Sequence, residues 1–335
     1  MKRPFYLFNA GRMSRKDNTL CFVAVNEAGE EQPAKHLPIE TVNELFAFGA
    51  LDANSAIYNF LGQHHVPVHF FDYYGHYTGS FMARDYLQSG RVHIAQTKAY
   101  LDPKKRVAIA QSFVDGASFN MLKNLKYYDN RGRDMEPFIT RIETYRESIP
   151  LSKDVPQLMG LEGNCRSTYY DAFDLIINDF EMGNRTKQPP SNEVNALISF
   201  GNMLCYTLAL SQIYHTQLNP TISFLHEPGE RRFSLSLDIA EIFKPIYVDR
   251  IIFKLLNKKE IQAKHFDRNT NGCRLNETGK QIFTREWDTK LKETIKHRVM
   301  NKQVSYRHLV KLECYKLMRH FLDEGSVYKP LKMYW

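Results

Sequence analysis

The residues best suited to chemistry lie between positions 222 and 245. An apolar run, Ile222–Leu225, leads directly to His226. Asp238 and Glu241 then follow with a spacing of three residues, which places both side chains on one face of a helix. The segment therefore brings one imidazole and two carboxylates close together on rigid elements. A mixed set of nitrogen and oxygen donors suits Mn²⁺ or Mg²⁺ better than an ion that prefers thiolates.

A further carboxylate, Glu162, lies in the glycine-flanked segment Gly160–Gly163 of a helical run. Glycine in a helix costs up to about 1 kcal/mol relative to alanine, so these glycines predict a close approach to the backbone. Glu162, His226 and Glu241, with Asp238 beside them, would form a metal site with open positions. The metal would act as a Lewis acid on a phosphodiester and orient the attacking oxygen. Chance association of distant residues is the alternative interpretation.

Basic residues accompany these candidates along the chain. Arg166 lies one helical turn after Glu162, and Arg231, Arg232 and Lys244 flank the histidine and the carboxylates. One interpretation is that these cations are solvated helix faces. The other is that they bind DNA phosphates around the metal. We favour the second for Arg231 and Lys244, because a polyanion near acidic ligands must be neutralised.

Other patterns favour a structural role. The histidines of residues 64–69 lie in a β-rich stretch without accompanying carboxylates. The segment Gly272–Lys280 ends in Gly-Lys but lacks the spacing and the hydroxyl residue of a phosphate-binding loop. The serines show no nucleophile-elbow pattern. Tyr127 and Tyr128 have the chemistry to stack on nucleic-acid bases, although packing in the core is the simpler interpretation.

The composition of the 335 residues is that of an ordinary globular protein, with 43% hydrophobic and 24% charged residues. The formal net charge of +8 suits a polyanionic partner. No apolar run approaches the roughly 20 residues that span a bilayer, and the N-terminus lacks the apolar core of a signal peptide. The five cysteines are scattered, without a Cys-x-x-Cys pair. This pattern predicts a reducing cytoplasm rather than a disulfide scaffold.

The elements that must position the candidate residues divide into two parts, which predicts an α+β fold. Residues 1–85 are rich in short apolar runs, aromatics and turns, and predict a small β-rich domain. Residues 86–335 predict a larger all-α domain, in which 193–215 is the buried central helix. Within it we expect helices over 158–182, 280–300 and 304–323 and a small hairpin at 269–276. We expect the tail, 328–335, to be loosely ordered.

Four motifs, in this order, resemble one known family: Leu161–Gly163, Asn195–Gly201, Phe224–His226 and Leu237–Pro245. They are similar to those of the CRISPR-associated integrases of spacer acquisition, the first protein of the adaptation pair. The N-terminal part agrees, with Leu37-Pro38-Ile39 and with Val68 to Phe81, and the resemblance covers nearly the whole chain. The segment Asn120–Tyr128 resembles the type I-B branch of this family.

This resemblance implies a β domain, a helical domain and a homodimer joined mainly through the β domains. Two such dimers would flank a dimer of the second adaptation protein (Cas-two) on double-stranded DNA, and a Cas-four type nuclease is a further expected partner. The metal ligands and catalytic residues carried over are Glu162, His226 and Glu241, with Mg²⁺ or Mn²⁺ as the cofactor. Asp238 matches an acidic position close to the metal. Position 241 is often Asp in the family, and Glu keeps the charge but adds one methylene.

The implied activity is metal-dependent insertion of short DNA fragments into a CRISPR array. The 3′-hydroxyl of the fragment attacks a phosphodiester at the repeat boundary, once on each strand. The basic charge, the absence of a nucleotide-binding motif and the hard-donor site agree with this expectation. A non-catalytic DNA-binding scaffold is the alternative, and a metal-dependent hydrolase of small phosphate esters is a third hypothesis.

Overall fold

The computed structural model describes residues 2–26, 28–83, 87, 89–187, 189–229, 233–269, 272–297, 300–323 and 325–334. The chain separates into two compact units, Met1–Leu87 and Gln88–Trp335. The first is β-rich and the second is mostly helical, which confirms the predicted fold class. The predicted domain boundary, between residues 85 and 86, lies two residues before this division.

The N-terminal unit is built from short strands and one helix within the described ranges. Its elements are β1 (Arg3–Leu7), β2 (Gly11–Lys16), β3 (Thr19–Ala24), β4 (Lys35–Pro38), β5 (Val42–Ala47), β6 (Leu51–Asp52), α1 (Ser55–Gln63), β7 (Val68–Phe71) and β8 (Tyr77–Phe81). One sheet has the order β1-β5-β7-β8 and another has the order β4-β3-β2-β6. In the first, β1 and β7 both run parallel to β5, whereas β8 is antiparallel to β7.

The core of the N-terminal unit is formed by alternate residues of these strands and by one face of α1. Leu20, Val42 and Leu45 are fully buried, and Phe60 of α1 belongs to the same cluster. On the other side of this part of the first sheet, His69 is also buried and its Nδ1 lies 2.6 Å from Ser80 Oγ. The expectation that the histidines of residues 64–69 are structural therefore agrees with the buried, hydrogen-bonded position of His69.

Helices dominate the C-terminal unit. They are α2 (Gly90–Leu101), α3 (Pro103–Asp129), α4 (Glu136–Ser148), α5 (Val155–Asp171), α6 (Phe173–Ile176), α7 (Glu193–Tyr214), α8 (Ser234–Lys244), α9 (Arg250–Asn257), α10 (Glu277–Lys292) and α11 (Tyr306–Leu322). A π-helical turn, Pro245–Asp249, joins α8 to α9. Asp102 caps the start of α3 by accepting hydrogen bonds from the backbone N–H groups of Lys104 and Lys105.

Helix α7 is the buried centre of this unit, as the sequence predicts. Among the described residues it is the one helix whose length and composition would permit a membrane span, but 83% of its most apolar window lies inside the structure. It packs against α8 and α11. A helix that is apolar on all sides and surrounded by other helices is a core helix, since each face buries apolar surface.

Two predicted helices end earlier in the structure than their periodicity suggests. The predicted helix 158–182 is α5 followed by the short α6, which ends at Ile176. The predicted helix 280–300 ends at Lys292 and gives way to β11 (Thr294–His297), which pairs with β12 (Lys302–Ser305). Apolar spacing alone does not reveal these ends, because short amphipathic strands and helix ends share the same residue types.

The predicted hairpin near residues 269–276 is present as β9 (Phe266–Asn269) and β10 (Gly272–Leu275). The expectation that the tail, 328–335, is loosely ordered is wrong for its described residues. Tyr328 and Met333 are buried, and the Tyr328 hydroxyl donates a hydrogen bond to Glu313 at 2.6 Å. The backbone N–H of Met333 donates to the side chain of Asn120 in α3. Tertiary contacts of this kind order a segment that lacks periodic secondary structure.

Candidate active site

Glu162 lies at the edge of the buried face of α5. Leu158 and Cys165 are completely buried on that face, while the Glu162 side chain is 17% exposed. Apart from the adjacent residues and the backbone of the same helix, no described atom lies within 4 Å of the position that a Cβ would occupy at Gly160 or Gly163. The close backbone contact expected from the sequence is therefore not made by the described part of this chain. The two glycines instead leave open space on the surface of the helix.

Asp238 and Glu241 lie on α8, which is a core helix. Ile239, Ile242 and Phe243 of the same helix are fully buried. The two carboxylates are buried with them, at 0% and 4% exposure. A buried carboxylate must have hydrogen-bond or ionic partners, because removing its charge from water is otherwise unfavourable. Each of these carboxylates has a different kind of partner.

Asp238 organises the loop that carries His226. Its carboxylate accepts hydrogen bonds from the backbone N–H groups of Phe224, Leu225 and His226, at 2.6, 3.0 and 2.9 Å. The same carboxylate lies 2.8 Å from Nδ1 of the His226 ring. Because a carboxylate only accepts, Nδ1 carries the hydrogen, and Nε2 keeps the lone pair in the neutral ring. Asp238 thus fixes both the loop and the orientation of the imidazole.

Glu162 and Glu241, from two different helices, meet at one guanidinium group. Arg166 Nε lies 3.3 Å from Glu162 Oε1, and Nη2 of the same guanidinium binds the Glu241 carboxylate. The Lys244 ammonium binds the other oxygen of Glu241 and lies 4.6 Å from the centre of the Tyr206 ring. Glu241 is therefore paired with two cations in the interior, and Arg166 connects it to Glu162.

These contacts determine the protonation of the cluster. Burial alone would raise the pKa of Glu241, but Lys244 and Arg166 outweigh burial and lower this pKa to about 2. Burial would lower the pKa of His226, but the hydrogen bond and charge of Asp238, with a contribution from Glu241, raise it above its ordinary value. Glu241 therefore remains ionised in the folded protein at neutral pH.

The structure revises the predicted positions of the basic residues. Arg166 and Lys244 do not lie on an exposed rim, because their charged groups are turned inward against the Glu241 carboxylate. Their side chains are 12% and 7% exposed. Contact of either residue with DNA remains a prediction, and it would require a rearrangement or a close approach of the DNA. Arg231 and Arg232 lie outside the described residues.

A buried acid that was not predicted from the sequence, Asp249, lies in the π-helical turn after α8. It is 1% exposed, and neither of its carboxylate oxygens has a hydrogen-bond partner among the described residues. Burial raises the pKa of Asp249 to about 7, although the nearby charge of Arg166 opposes the shift. The signal available in the sequence was a single carboxylate at the end of the apolar run Ile246–Val248.

The donor chemistry of the cluster fits a hard divalent cation. Glu162 and Glu241 offer carboxylate oxygens close enough to share one guanidinium, and Asp238 orients His226 so that Nε2 has a lone pair available. In the present arrangement Arg166 holds the two carboxylates. Accordingly, no three His, Cys, Asp or Glu side chains within the described ranges converge at metal-binding distance.

Comparison with known proteins decides the family. The model of the family described as CRISPR associated protein Cas1 matches residues 5–289. The chain belongs to the Cas1 family. A relative from Thermodesulfovibrio yellowstonii, named CRISPR-associated endonuclease Cas1 3, is 47% identical over 99% of this chain and all of its own length. The CRISPR-associated endonuclease Cas1 of Fusobacterium nucleatum is 45% identical over 100% of this chain and 98% of its own.

Solved structures share the fold described above. A Cas1 protein from Thermotoga maritima, 40% identical, superimposes with a TM-score of 0.86 over 97% of this chain and 98% of its own. A casposase bound to an integration product gives a TM-score of 0.84 at 20% identity, over 98% of this chain and 93% of its own. At that identity the second likeness concerns the fold alone. The family resemblance predicted from the four motifs is thus confirmed.

Proposed function

We propose that this member of the Cas1 family is a metal-dependent DNA integrase and endonuclease of CRISPR adaptation. It would insert short DNA fragments into the array by 3′-hydroxyl attack on repeat-boundary phosphodiesters. The observation that carries this proposal is the meeting of Glu162 and Glu241 at Arg166, beside a His226 ring held by Asp238. The relatives named endonucleases support the nuclease assignment.

The residues proposed to hold Mg²⁺ or Mn²⁺ are Glu162, His226 and Glu241. When bound, such an ion supplies Lewis-acid activation of the phosphodiester and orients the attacking oxygen. Asp238 has its oxygens engaged by the loop and by the His226 ring, so we assign it the role of positioning His226 rather than that of a ligand.

The two inner cations have a part in the same proposal. In transesterification one phosphorus–oxygen bond forms and another breaks, so negative charge builds up on the non-bridging oxygens of the phosphate. Arg166 and Lys244 provide fixed positive charge next to the acidic cluster, which would stabilise that charge in a low-dielectric site. Occupation of the carboxylates by a divalent ion would replace the charge that Arg166 now places between them, leaving its guanidinium available to a phosphate.

The proposed assembly follows the family resemblance. We infer a homodimer joined through the N-terminal unit, which acts with the second adaptation protein on double-stranded DNA in the cytoplasm. A Cas-four type nuclease and a type I-B system complete the proposal. Structural neighbours with TM-scores of 0.85 and 0.58 are named as a Cas6-RT-Cas1–Cas2 complex and a TtCas1-DNA complex, which supports both a protein partner and DNA.

Strand transfer into a plasmid tests the proposal. A labelled short duplex with free 3′-hydroxyls is incubated with a supercoiled plasmid that carries a CRISPR array, with Mn²⁺, Mg²⁺ or chelator, and with or without the second adaptation protein. We expect metal-dependent covalent joining that Glu162→Gln and His226→Ala reduce at least about 100-fold, as expected for loss of a group that acts in the transition state. Glu143→Gln, which removes an exposed carboxylate paired with Lys126, is the matched control.

The same assay distinguishes the alternatives. DNA binding without joining under every metal condition would favour the scaffold interpretation and make the acidic cluster structural. Turnover of a small phosphate ester at a rate that competing DNA does not change would favour the hydrolase interpretation. Circular dichroism of Glu162→Gln must retain the wild-type spectrum for the loss of joining to report on chemistry.

A further inference from the structure

A second charged region of the helical unit lies outside the acidic cluster. A cavity of about 480 Å³, partly open to solvent, is formed by the C-terminal end of α3, by α9 and by α10. Its volume lies in the range of ligand pockets, which is about 300–1,000 Å³. The cationic side chains in its lining outnumber the carboxylates by three, and they are Arg131, Arg250, Lys254, Lys258 and Lys290.

Two of these cations have carboxylate partners within the lining itself. Lys254 Nζ lies 2.6 Å from Glu286, and Lys290 Nζ lies 2.6 Å from Glu293. Both lysines are therefore neutralised locally. The positive excess of the cavity then corresponds to the remaining cations, two arginines and one lysine. This excess is a property of the cavity lining as a whole, so it does not depend on any single arginine lacking other contacts.

The two arginines share an aromatic platform. The guanidinium carbons of Arg131 and Arg250 lie 4.6 and 5.5 Å from the centre of the Tyr127 ring. Tyr127 contacts Tyr128 edge-on, at 5.1 Å between ring centres, and Tyr128 contacts the buried Phe253 in the same manner at 5.5 Å. The platform is thus connected to the core. Because a cation stacked on a ring uses its face, phosphate oxygens approach a guanidinium from its edge.

Such a platform suits a phosphate group. The planar fork of a guanidinium matches two phosphate oxygens, and two arginines held beside one ring can approach the same or adjacent phosphates. Like charges gathered in one cavity repel each other, and a bound polyanion relieves that repulsion. A cationic ligand would add to that repulsion. For Tyr127 and Tyr128 the sequence left base stacking as one interpretation and packing in the core as the simpler one. The arginines over Tyr127 make base stacking on that ring less suitable.

We propose that the cavity between α3, α9 and α10 is a phosphate-binding site, built from Arg131 and Arg250 on the Tyr127 platform. Its ligand is either a phosphodiester of bound DNA or the phosphate of a free nucleotide. The first source rests on the proposed DNA-integrating function, because the site would then hold a part of the substrate away from the acidic cluster. The phosphate chemistry itself is independent of that function.

Binding measured in chelator separates this site from catalysis. Fluorescence anisotropy of a labelled 30-base-pair DNA is followed at several NaCl concentrations with Glu162→Gln protein, in which strand transfer plays no part. Adding Arg131→Gln and Arg250→Gln together should weaken binding about tenfold or more. These changes should also reduce the slope of log K against log salt by about 2, since each phosphate contact contributes roughly 0.9 to that slope.

The matched control is Lys126→Gln with Lys292→Gln. These lysines lie on α3 and α10, are exposed, and do not line the cavity. Replacing these two lysines removes as much positive charge as replacing the two arginines does, and it should weaken DNA binding less than about threefold. If the double arginine variant does not fold, Arg131→Gln alone decides the matter, because Arg131 is exposed, and it should reduce the slope by about 1.

A calorimetric arm with thymidine 5′-monophosphate and with inorganic phosphate identifies the source of the phosphate. Loss of DNA affinity confined to the arginine variants supports the site with DNA as the ligand. Unchanged DNA affinity together with loss of nucleotide or phosphate binding supports the site with a free ligand. If the arginine variants match the lysine control in both arms, the proposal is wrong, whatever the strand-transfer assay shows.

Discussion

The acidic cluster and the basic cavity belong to the same helical unit and use the same kinds of charged residue, yet they differ in burial. In the cluster, Glu241 is buried and is neutralised by two cations that are also buried. In the cavity, Lys290 pairs with a Glu293 side chain that is 47% exposed, and the arginines lie over an aromatic ring. The first set satisfies its charges internally, whereas the second leaves a positive excess.

This difference indicates which charges support the fold and which are available to a partner. Buried charges that lose a partner are strongly destabilising, whereas exposed pairs contribute roughly 0–1 kcal/mol because water and salt screen them. A formal net charge of +8 does not distinguish these two classes. The following predictions test whether the two regions behave as differently as their burial implies.

The largest effect is expected from Glu241→Gln. Without this carboxylate, Lys244 and Arg166 stay in the interior with little compensating charge, which should destabilise the protein by about 3–5 kcal/mol. The measurement is urea unfolding followed by circular dichroism at pH 7. Glu162→Gln is the matched variant, because Arg166 keeps its contact with Glu241 there. Equal unfolding free energies for the two variants would contradict the assignment of Glu241 as the central charge of the cluster.

Asp249→Asn should change how stability depends on pH. The pKa of Asp249 is raised from 3.8 to about 7 in the folded protein, so the folded state retains the proton longer than the unfolded state does. The stability that this group contributes is fully present below about pH 4. It is lost progressively as the pH rises from there through 7, and the total loss is about 4 kcal/mol. Relative to wild type, the asparagine variant should therefore gain stability between pH 5 and pH 8.

Thermal unfolding at four pH values measures this gain. Asp134→Asn serves as the control, because Asp134 is exposed and this substitution removes one carboxylate, as Asp249→Asn does. Parallel stability curves for wild type and Asp249→Asn would show that Asp249 is not a buried acid of raised pKa. A stability difference from wild type that grows with pH for Asp249→Asn, and not for Asp134→Asn, would confirm that Asp249 is a buried acid of raised pKa. It would also extend the cluster of interior titratable groups beyond Glu241.

The smallest effect is expected from Glu293→Gln in the basic cavity. The ion pair of Glu293 with Lys290 is partly exposed, so its loss should lower stability by less than about 1 kcal/mol. The same substitution frees one cation and raises the positive excess of the cavity, and it should strengthen DNA binding slightly at low salt. Urea unfolding and anisotropy measure the two quantities. Destabilisation as large as that of Glu241→Gln would remove the contrast between the two regions.

Much of the candidate site could be predicted from local pattern. The spacing of Asp238 and Glu241 predicted a shared helix face, and both residues lie on α8. Glu162 was found through its helical segment, although the space beside its glycines is open rather than filled by backbone. Local periodicity succeeds here because a helix face is determined by residues three and four positions apart.

The same periodicity failed where tertiary contacts decide the outcome. The end of α10 at Lys292, the strands that follow it and the packed C-terminal tail all depend on distant partners. The burial of Asp249 was not predicted for a similar reason. A sequence pattern in which a carboxylate follows an apolar run does not indicate whether that side chain reaches water. Periodicity describes one segment at a time, whereas burial is a property of several segments together.

By itself, the sequence determined the β-rich and helical parts, the four family motifs and the residue types of a hard-cation site. Only the tertiary structure decided that Arg166 joins Glu162 to Glu241 and that Asp238 holds His226. It also decided that Tyr127 lies beneath two arginines, one just after the end of α3 and the other at the start of α9. The physical reason is that charge pairing and solvent exposure depend on distances in space, and residues as far apart as Glu162 and Glu241 are brought together only by packing.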